Sequence, residues 1–186
     1  EAAGHVVATV SLTPPYTSID NLVPQLARRI EEVCAATGAD RIALVAHSMG
    51  GLVCRSYLAS HGSKRVERLI TLASPHSGSE LARIGIGQNA REMEPGSRWL
   101  KDLASAPIPV HAVSIRTPHD NYVMPQDNQR LPGAQDVELD GLGHLALLFS
   151  GRAATEVIAA CREATIKVRQ EPRHRDPGSS GRRLRD

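Results

Sequence analysis

Arg41-Ile-Ala-Leu-Val-Ala-His-Ser-Met-Gly-Gly-Leu-Val-Cys-Arg-Ser-Tyr-Leu-Ala-Ser-His-Gly62 changes its pattern once, at Ser48, and the change decides how the chain is read. Ile42 to Ala46 is a short continuous apolar run, which predicts a strand covered on both faces of a parallel sheet. From Gly50 onward the pattern turns helical, with Leu52, Val53, Ser56 and Tyr57 available to one face and Gly62 placed as a C-terminal cap. A serine between two such elements occupies a tight, strained turn that lifts its hydroxyl clear of the sheet. Ala46 before it and Gly50 after it are small enough to let strand and helix approach. The turn also points the first amides of the new helix, Met49 N–H foremost, at the space beside the serine oxygen, where an anion would be stabilised. The plainer alternative is that Ser48 merely caps the helix, a frequent role for serine.

Ala46-His-Ser-Met-Gly-Gly51 resembles the nucleophile elbow of α/β-hydrolases, and its Ala-for-Gly form with His47 and Met49 flanking the serine resembles that of bacterial lipases and esterases, triacylglycerol lipases included. The resemblance implies an α/β-hydrolase fold: a mostly parallel sheet with helices on both faces. It also implies Ser48 as nucleophile and Met49 N–H as an oxyanion-hole donor.

A serine hydroxyl needs a base to take its proton, and the base needs an acid group to hold its tautomer. Parallel α/β sheets gather such groups on the loops that leave the carboxyl ends of strands. The strand expected at Val110 to Ile115 leads into Arg-Thr-Pro-His-Asp120-Asn-Tyr-Val-Met-Pro, and the last strand leads into Asp140-Gly-Leu-Gly-His144. Asp120 and His144 therefore follow Ser48 in the order Ser, Asp, His. Asp120 with Val123 and Pro125 is similar to the acid loop of the family, and Gly143-His144 to its histidine loop. Asp127 and Asp140 are the competing acids; Asp127 lies further from the strand end, and Asp140 suits a cap on the turn before the histidine. Among the eight histidines, His144 alone is placed on the loop after the last strand. His5, His61 and His111 fall at element ends and His174 in the tail. His47 reads as a pocket residue, since neighbours on a sharp turn point apart. His76, in Ser-Pro-His-Ser-Gly-Ser, resembles the loop that shapes the site floor in lipases. Val123 completes the expected pocket.

The rest of the chain is read as support for that serine. His5 to Leu12 is β-branched and predicts a strand, stopped by Pro14 and Pro15. Ser18 or Asp20 can cap a helix running to about Thr37, whose Leu22, Leu26, Ile30 and Val33 form a stripe able to lie on a sheet. Val66 to Ala73 predicts another strand, so strands and helices alternate as in a parallel sheet. Residues 74–109 break the rhythm with glycines and short pieces such as Ser79 to Ile84 and Ser97 to Leu103, and read as a lid-like or cap-like insertion over the strand ends. Strands resume at Val110 to Ile115 and Gln135 to Leu139; a helical turn from Leu145 to Leu148 precedes a last helix from Arg152 to about Lys167, with Val157, Ile158 and Cys161 facing inward. One domain over residues 1–168 and a disordered basic tail over 169–186 complete the expected organisation.

With 186 residues, 41% hydrophobic and 23% charged, the chain supports one packed domain and is short for two. Aromatic residues make up 3% and the formal charge is +2, with the cationic excess in the tail, so the body is not expected to bind nucleic acid. Cys34, Cys54 and Cys161 lack metal-ligand spacing and read as small core residues. No transmembrane stretch or signal peptide is visible. No cofactor or metal is expected; the resemblance admits a calcium site, but no cluster of carboxylates argues for one. The His-Gly loop that supplies the second oxyanion donor in the family has no counterpart, which implies a chain lacking the first strands of the fold. Loss of one such donor typically costs ~10²–10³ in turnover. The leading expectation is a serine carboxylic-ester hydrolase acting on an ester or lipid through an acyl-enzyme. The alternatives are an acyltransferase or thioesterase on the same triad, and a non-catalytic binding protein with a relic triad.

Overall fold

The computed structural model describes residues 4–169, with side chains through Arg162; the expected tail lies outside the described residues. Four strands, β1 (Ile42–His47), β2 (Val66–Leu72), β3 (His111–Arg116) and β4 (Gln135–Glu138), form one parallel sheet whose spatial order is the chain order. His47 lies beside Leu72, Leu72 beside Ile115, and Arg116 beside Glu138. The carboxyl ends are thus level, and the loops that follow β1, β3 and β4 meet at one edge.

The two faces of the sheet carry separate cores. Leu44, Leu69 and Ala112 pack with Leu26 and Ile30 of α1 (Val23–Thr37) and with Leu52 and Leu58 of α2 (Met49–His61). Ile70, Leu72, Val113 and Ile115 face the other way, against Ala153 and Ala160 of α5 (Gly151–Arg169). Each Leu or Ile withdrawn from water in these layers contributes ~1.5–3 kcal/mol. A register shift between Ile42 and Ala43, opposite the Val66 to Arg68 step, reverses the parity of β2 so that Val66 and Leu69 share the first core. The stripe of α1 is as expected at Leu22, Leu26 and Ile30, but its last buried position is Cys34, with Val33 half-buried. The entry to α1 also differs: Ser18 makes no cap and instead donates to Glu92 Oε1 at 2.6 Å, ahead of a short turn at Ile19–Leu22.

Two expectations fail at the outer side of β1. Residues 5–12 form no strand, and Val6 and Val7 are 82% and 58% exposed. β1 is the sheet edge among the described residues, and residues 5–12 pair neither with it nor with another described strand, so their amides have no ladder. For the same reason β1 is covered on one face only: Leu44 is buried and Val45 is 51% exposed.

The segment 74–109 holds a short turn at Glu80–Ile84 and two helices, α3 (Gln88–Glu92) and α4 (Arg98–Ser105). Leu100 and Leu103 of α4 belong to the first core, whereas Ile84 and Ile86 project into solvent. No described helix is long and apolar enough to cross a membrane.

Candidate active site

Ser48 has φ 54° and ψ −131°, a conformation non-glycine residues rarely adopt and one that costs of order 1–3 kcal/mol. Two backbone bonds hold it there, Ser48 N–H to Leu72 O at 2.9 Å and Gly51 N–H to Ser48 O at 3.1 Å. Its position is the N-cap of α2, yet its side chain makes no capping bond, so the strain is not explained by capping. The close approach expected at Gly50 is found one residue later. A Cβ on Gly50 would lie 3.6 Å from Ala46 Cβ, an ordinary contact, but a Cβ on Gly51 would lie 2.2 Å from Ser74 Oγ. Met49 opens the helix, so its N–H has no acceptor within the helix. Its sulfur accepts from Asn89 Nδ2 at 3.2 Å, which ties α3 to the elbow.

On the loops after β3 and β4, His144 Nδ1 donates to Asp120 Oδ2 at 2.8 Å, and both side chains are buried. A carboxylate only accepts, so the imidazole proton sits on Nδ1 and Nε2 is left for proton exchange. Asp120 Oδ1 accepts from the amides of Tyr122 at 2.8 Å and Val123 at 2.7 Å, an Asx-type turn closed on its own loop. Burial works to raise the Asp120 carboxyl; the His144 ring, then the Val123 and Tyr122 amides, outweigh it and hold the group below its ordinary value.

His47 links this pair to the serine. Its ring lies 4.6 Å from that of His144, centroid to centroid, and its Nε2–H donates to His144 O at 3.1 Å. Burial holds His47 below its ordinary value, with the bond to the His144 carbonyl acting in the other direction. Ser48 is the next residue along the chain, so the end of β1 and the loop after β4 are joined at the carboxyl edge of the sheet.

The competing carboxylates are otherwise engaged. Asp127 pairs with Arg130 on the surface, and Asp140 pairs with His119 at 2.7 Å. Asp140 also accepts from the Gly141 amide, as a turn residue should. Val123 is buried and acts on Asp120 through its N–H. His76 is not brought to this group: its Nε2 meets Thr71 Oγ1 at 3.0 Å, and its carbonyl accepts from Arg55. Sequence reasoning missed Tyr122, whose ring lies 4.9 Å from His144, and the His119–Asp140 pair. Tyr122 was findable, because an Asx turn on Asp120 folds the second residue after it back toward the acid. Among the described residues no His, Cys, Asp and Glu cluster is arranged to hold a metal.

The level parallel strands, with helices packed on both faces of the sheet, match solved structures in architecture. The mature lipase BlEst2 of Bacillus licheniformis superposes with a TM-score of 0.67 over 78% of this chain and 75% of its own, at 19% identity. The fold is that of the α/β-hydrolases. The phospholipase PlaB of Legionella pneumophila gives 0.67 over 87% of this chain and 52% of its own at 14% identity, and the metagenomic carboxyl esterase MGS0156 gives 0.61 over 84% and 63% at 15%. A family described as the alpha/beta hydrolase fold matches residues 13–94, a stretch that contains Ser48. Over 58 residues the chain is 43% identical to triacylglycerol lipases of Pseudarthrobacter phenanthrenivorans and Burkholderia plantarii. That match takes in 31% of this chain and spans only 18% and 16% of those relatives.

Proposed function

We propose that the chain carries the catalytic centre of a serine carboxylic-ester hydrolase of lipase or esterase type, with Ser48 as nucleophile, His144 as base and Asp120 as its acid partner. The observation that carries the reading is the buried His144–Asp120 hydrogen bond at the edge where Ser48 is held at positive φ. Strain of that kind persists only where the surroundings over-determine it, and the side chain it presents is not spent on capping.

In the first half-reaction Ser48 Oγ forms a bond to the ester carbonyl carbon as its proton passes to His144 Nε2, and the carbonyl π pair moves onto oxygen. The Met49 N–H stabilises that oxyanion. Asp120 stabilises the imidazolium that forms. Collapse breaks the carbon–alkoxy bond; the leaving alcohol takes the proton from Nε2, and an acyl-enzyme remains. Water, deprotonated by the same nitrogen, then adds to the acyl carbon, and Ser48 leaves with the proton. The likeness to proteins named lipases and a carboxyl esterase supports an ester or lipid as substrate. Only the first half of 74–109 suits a cap, since Ile84 and Ile86 are exposed while α4 is built into the core.

The test is covalent. A fluorophosphonate probe should label Ser48, located by peptide mass, and Ser48→Ala should abolish both labelling and p-nitrophenyl ester cleavage. Labelling elsewhere, or ester cleavage undiminished in Ser48→Ala, would discard the assignment.

A further inference from the structure

Ser79 closes the Ser74-Pro-His-Ser-Gly-Ser79 motif, and its hydroxyl uses its whole hydrogen-bonding capacity. It donates to Tyr122 O at 2.6 Å and accepts from Met124 N–H at 3.1 Å and Leu81 N–H at 3.3 Å. The Leu81 bond is an ordinary cap on the Glu80–Ile84 turn. The other two are shorter and reach residues more than 40 positions away in the chain, on the loop that holds Asp120.

The hydroxyl is itself firmly placed. Ser79 N–H donates to Met93 O at 2.9 Å, and Gly78 at φ +89° sits so close to Met93 and Pro95 that a Cβ there would lie 2.6 Å from Met93 O. Next to it, Glu80 N–H donates to Met124 O and Ser77 N–H to Asn128 O. Ser79 thus grips the peptides on either side of Val123, while the Tyr122 and Val123 amides grip Asp120 and the Tyr122 ring meets His144.

We propose that Ser79 is a positioning residue for the acid of the triad: its hydroxyl fixes residues 122–124 so that their amides hold the Asp120 carboxylate toward His144. The inference rests on the assignment of Asp120 as that acid. Without the hydroxyl, Tyr122 O and Met124 N–H lose a partner in a half-buried site, the loop relaxes, and Asp120 loses well-aligned donors. Displacements of that kind far from the reacting bond cost up to ~10²-fold in rate.

The experiment compares Ser79→Ala with Ser79→Thr, which keeps the hydroxyl. Three readouts are taken: the rate of fluorophosphonate labelling at Ser48, kcat and KM for a short p-nitrophenyl ester, and the Asp120 carboxyl titration by carbon-13 NMR. The groups that act on that carboxyl are His144 and His47 and the Tyr122 and Val123 amides. Ser79→Ala should slow labelling and lower kcat about 10-fold with KM unchanged, and Asp120 should titrate at higher pH; Ser79→Thr should restore both. A folded Ser79→Ala that labels at the parental rate with Asp120 titrating as before overturns the proposal. Should Ser79→Ala not fold, Ser79→Cys serves instead, and an unaltered Asp120 titration in it overturns the proposal equally. If Ser48 in the unsubstituted protein does not react, the ester-hydrolase reading falls, while the Asp120 titration still decides the role of Ser79.

Discussion

His144 and His76 are each 3% exposed, and each has one ring nitrogen in a close polar contact, but the surroundings make them different instruments. His144 meets a carboxylate. A proton arriving at its other nitrogen therefore finds its charge already balanced. His76 meets the hydroxyl of Thr71, lies against the Arg55 guanidinium, and has no partner for Nδ1. A proton there would bury a second N–H without an acceptor, beside a cation. Burial first, and then Arg55, push His76 down to about 3. The lesson is that burial withdraws a histidine from solution chemistry, and the group opposite decides whether it regains any.

The sharpest way to break the comparison is to remove the charge opposite His144. Asp120→Asn keeps the shape and can still accept through its oxygen, but it offers no charge and frees the imidazole to take the wrong tautomer. By analogy with other serine triads, kcat for p-nitrophenyl ester hydrolysis should fall about 10³–10⁴-fold with KM little changed. A loss under tenfold would show that His144 does not depend on this carboxylate. Thr71→Val, the corresponding change opposite His76, should leave kcat as it is.

The effect of His76 belongs to stability and is next in size. Its folded value lies far below that of an unfolded histidine, so the folded state binds fewer protons. Stability is full above pH ~6.5 and is lost as pH falls toward 3, by up to about 1.4 kcal/mol per pH unit. Asp120 has its folded value depressed as a carboxylate; its contribution is present above the ordinary carboxylate value and lost only as pH falls through the lower folded one. Between pH 6.5 and 5 the histidine term therefore stands apart. Urea unfolding should show His76→Gln losing about 1.6 kcal/mol less than the parent over that interval. Equal slopes would mean that His76 is not held neutral by its site.

The candidate site could be narrowed in the sequence because its proposed parts are loop residues at strand ends, where position limits the candidates. Ser48, Asp120 and His144 each follow a strand; β1 and β2 were visible as apolar runs, whereas β4, Gln-Asp-Val-Glu, is mostly polar and was placed by its position in the alternation. Sequence reasoning went astray where a partner outside the segment decides the outcome. Residues 5–12 have every local mark of a strand, yet a strand exists by pairing, and these residues pair with no described strand. His76 stands in a motif that pointed to the site floor, but which way it faces depends on Thr71 and Arg55. The tight glycine was placed at Gly50 by its distance from Ser48; Gly51 is the one opposite Ser74, a residue of the next loop. Ser79 is ordinary in sequence, and only the fold brings its loop to the one that holds Asp120.

His47 allows the finest test, because it adjoins Ser48 in the chain and meets His144 through both its ring and its Nε2–H. Its Nε2–H ties the His144 carbonyl to the end of β1, and burial holds its proton affinity below the ordinary value. His47→Phe retains a ring against His144 but loses the bond. His47→Gln retains a donor but loses the ring. If the bond is what positions His144, kcat should fall about tenfold in the phenylalanine variant and only a few-fold in the glutamine variant, with KM unchanged in both. The reverse ranking would transfer the role to ring packing. Equal, parental values would leave the Asp120 bond and the Tyr122 ring to fix His144, and the polar difference between the two buried histidines would then reduce to a single carboxylate.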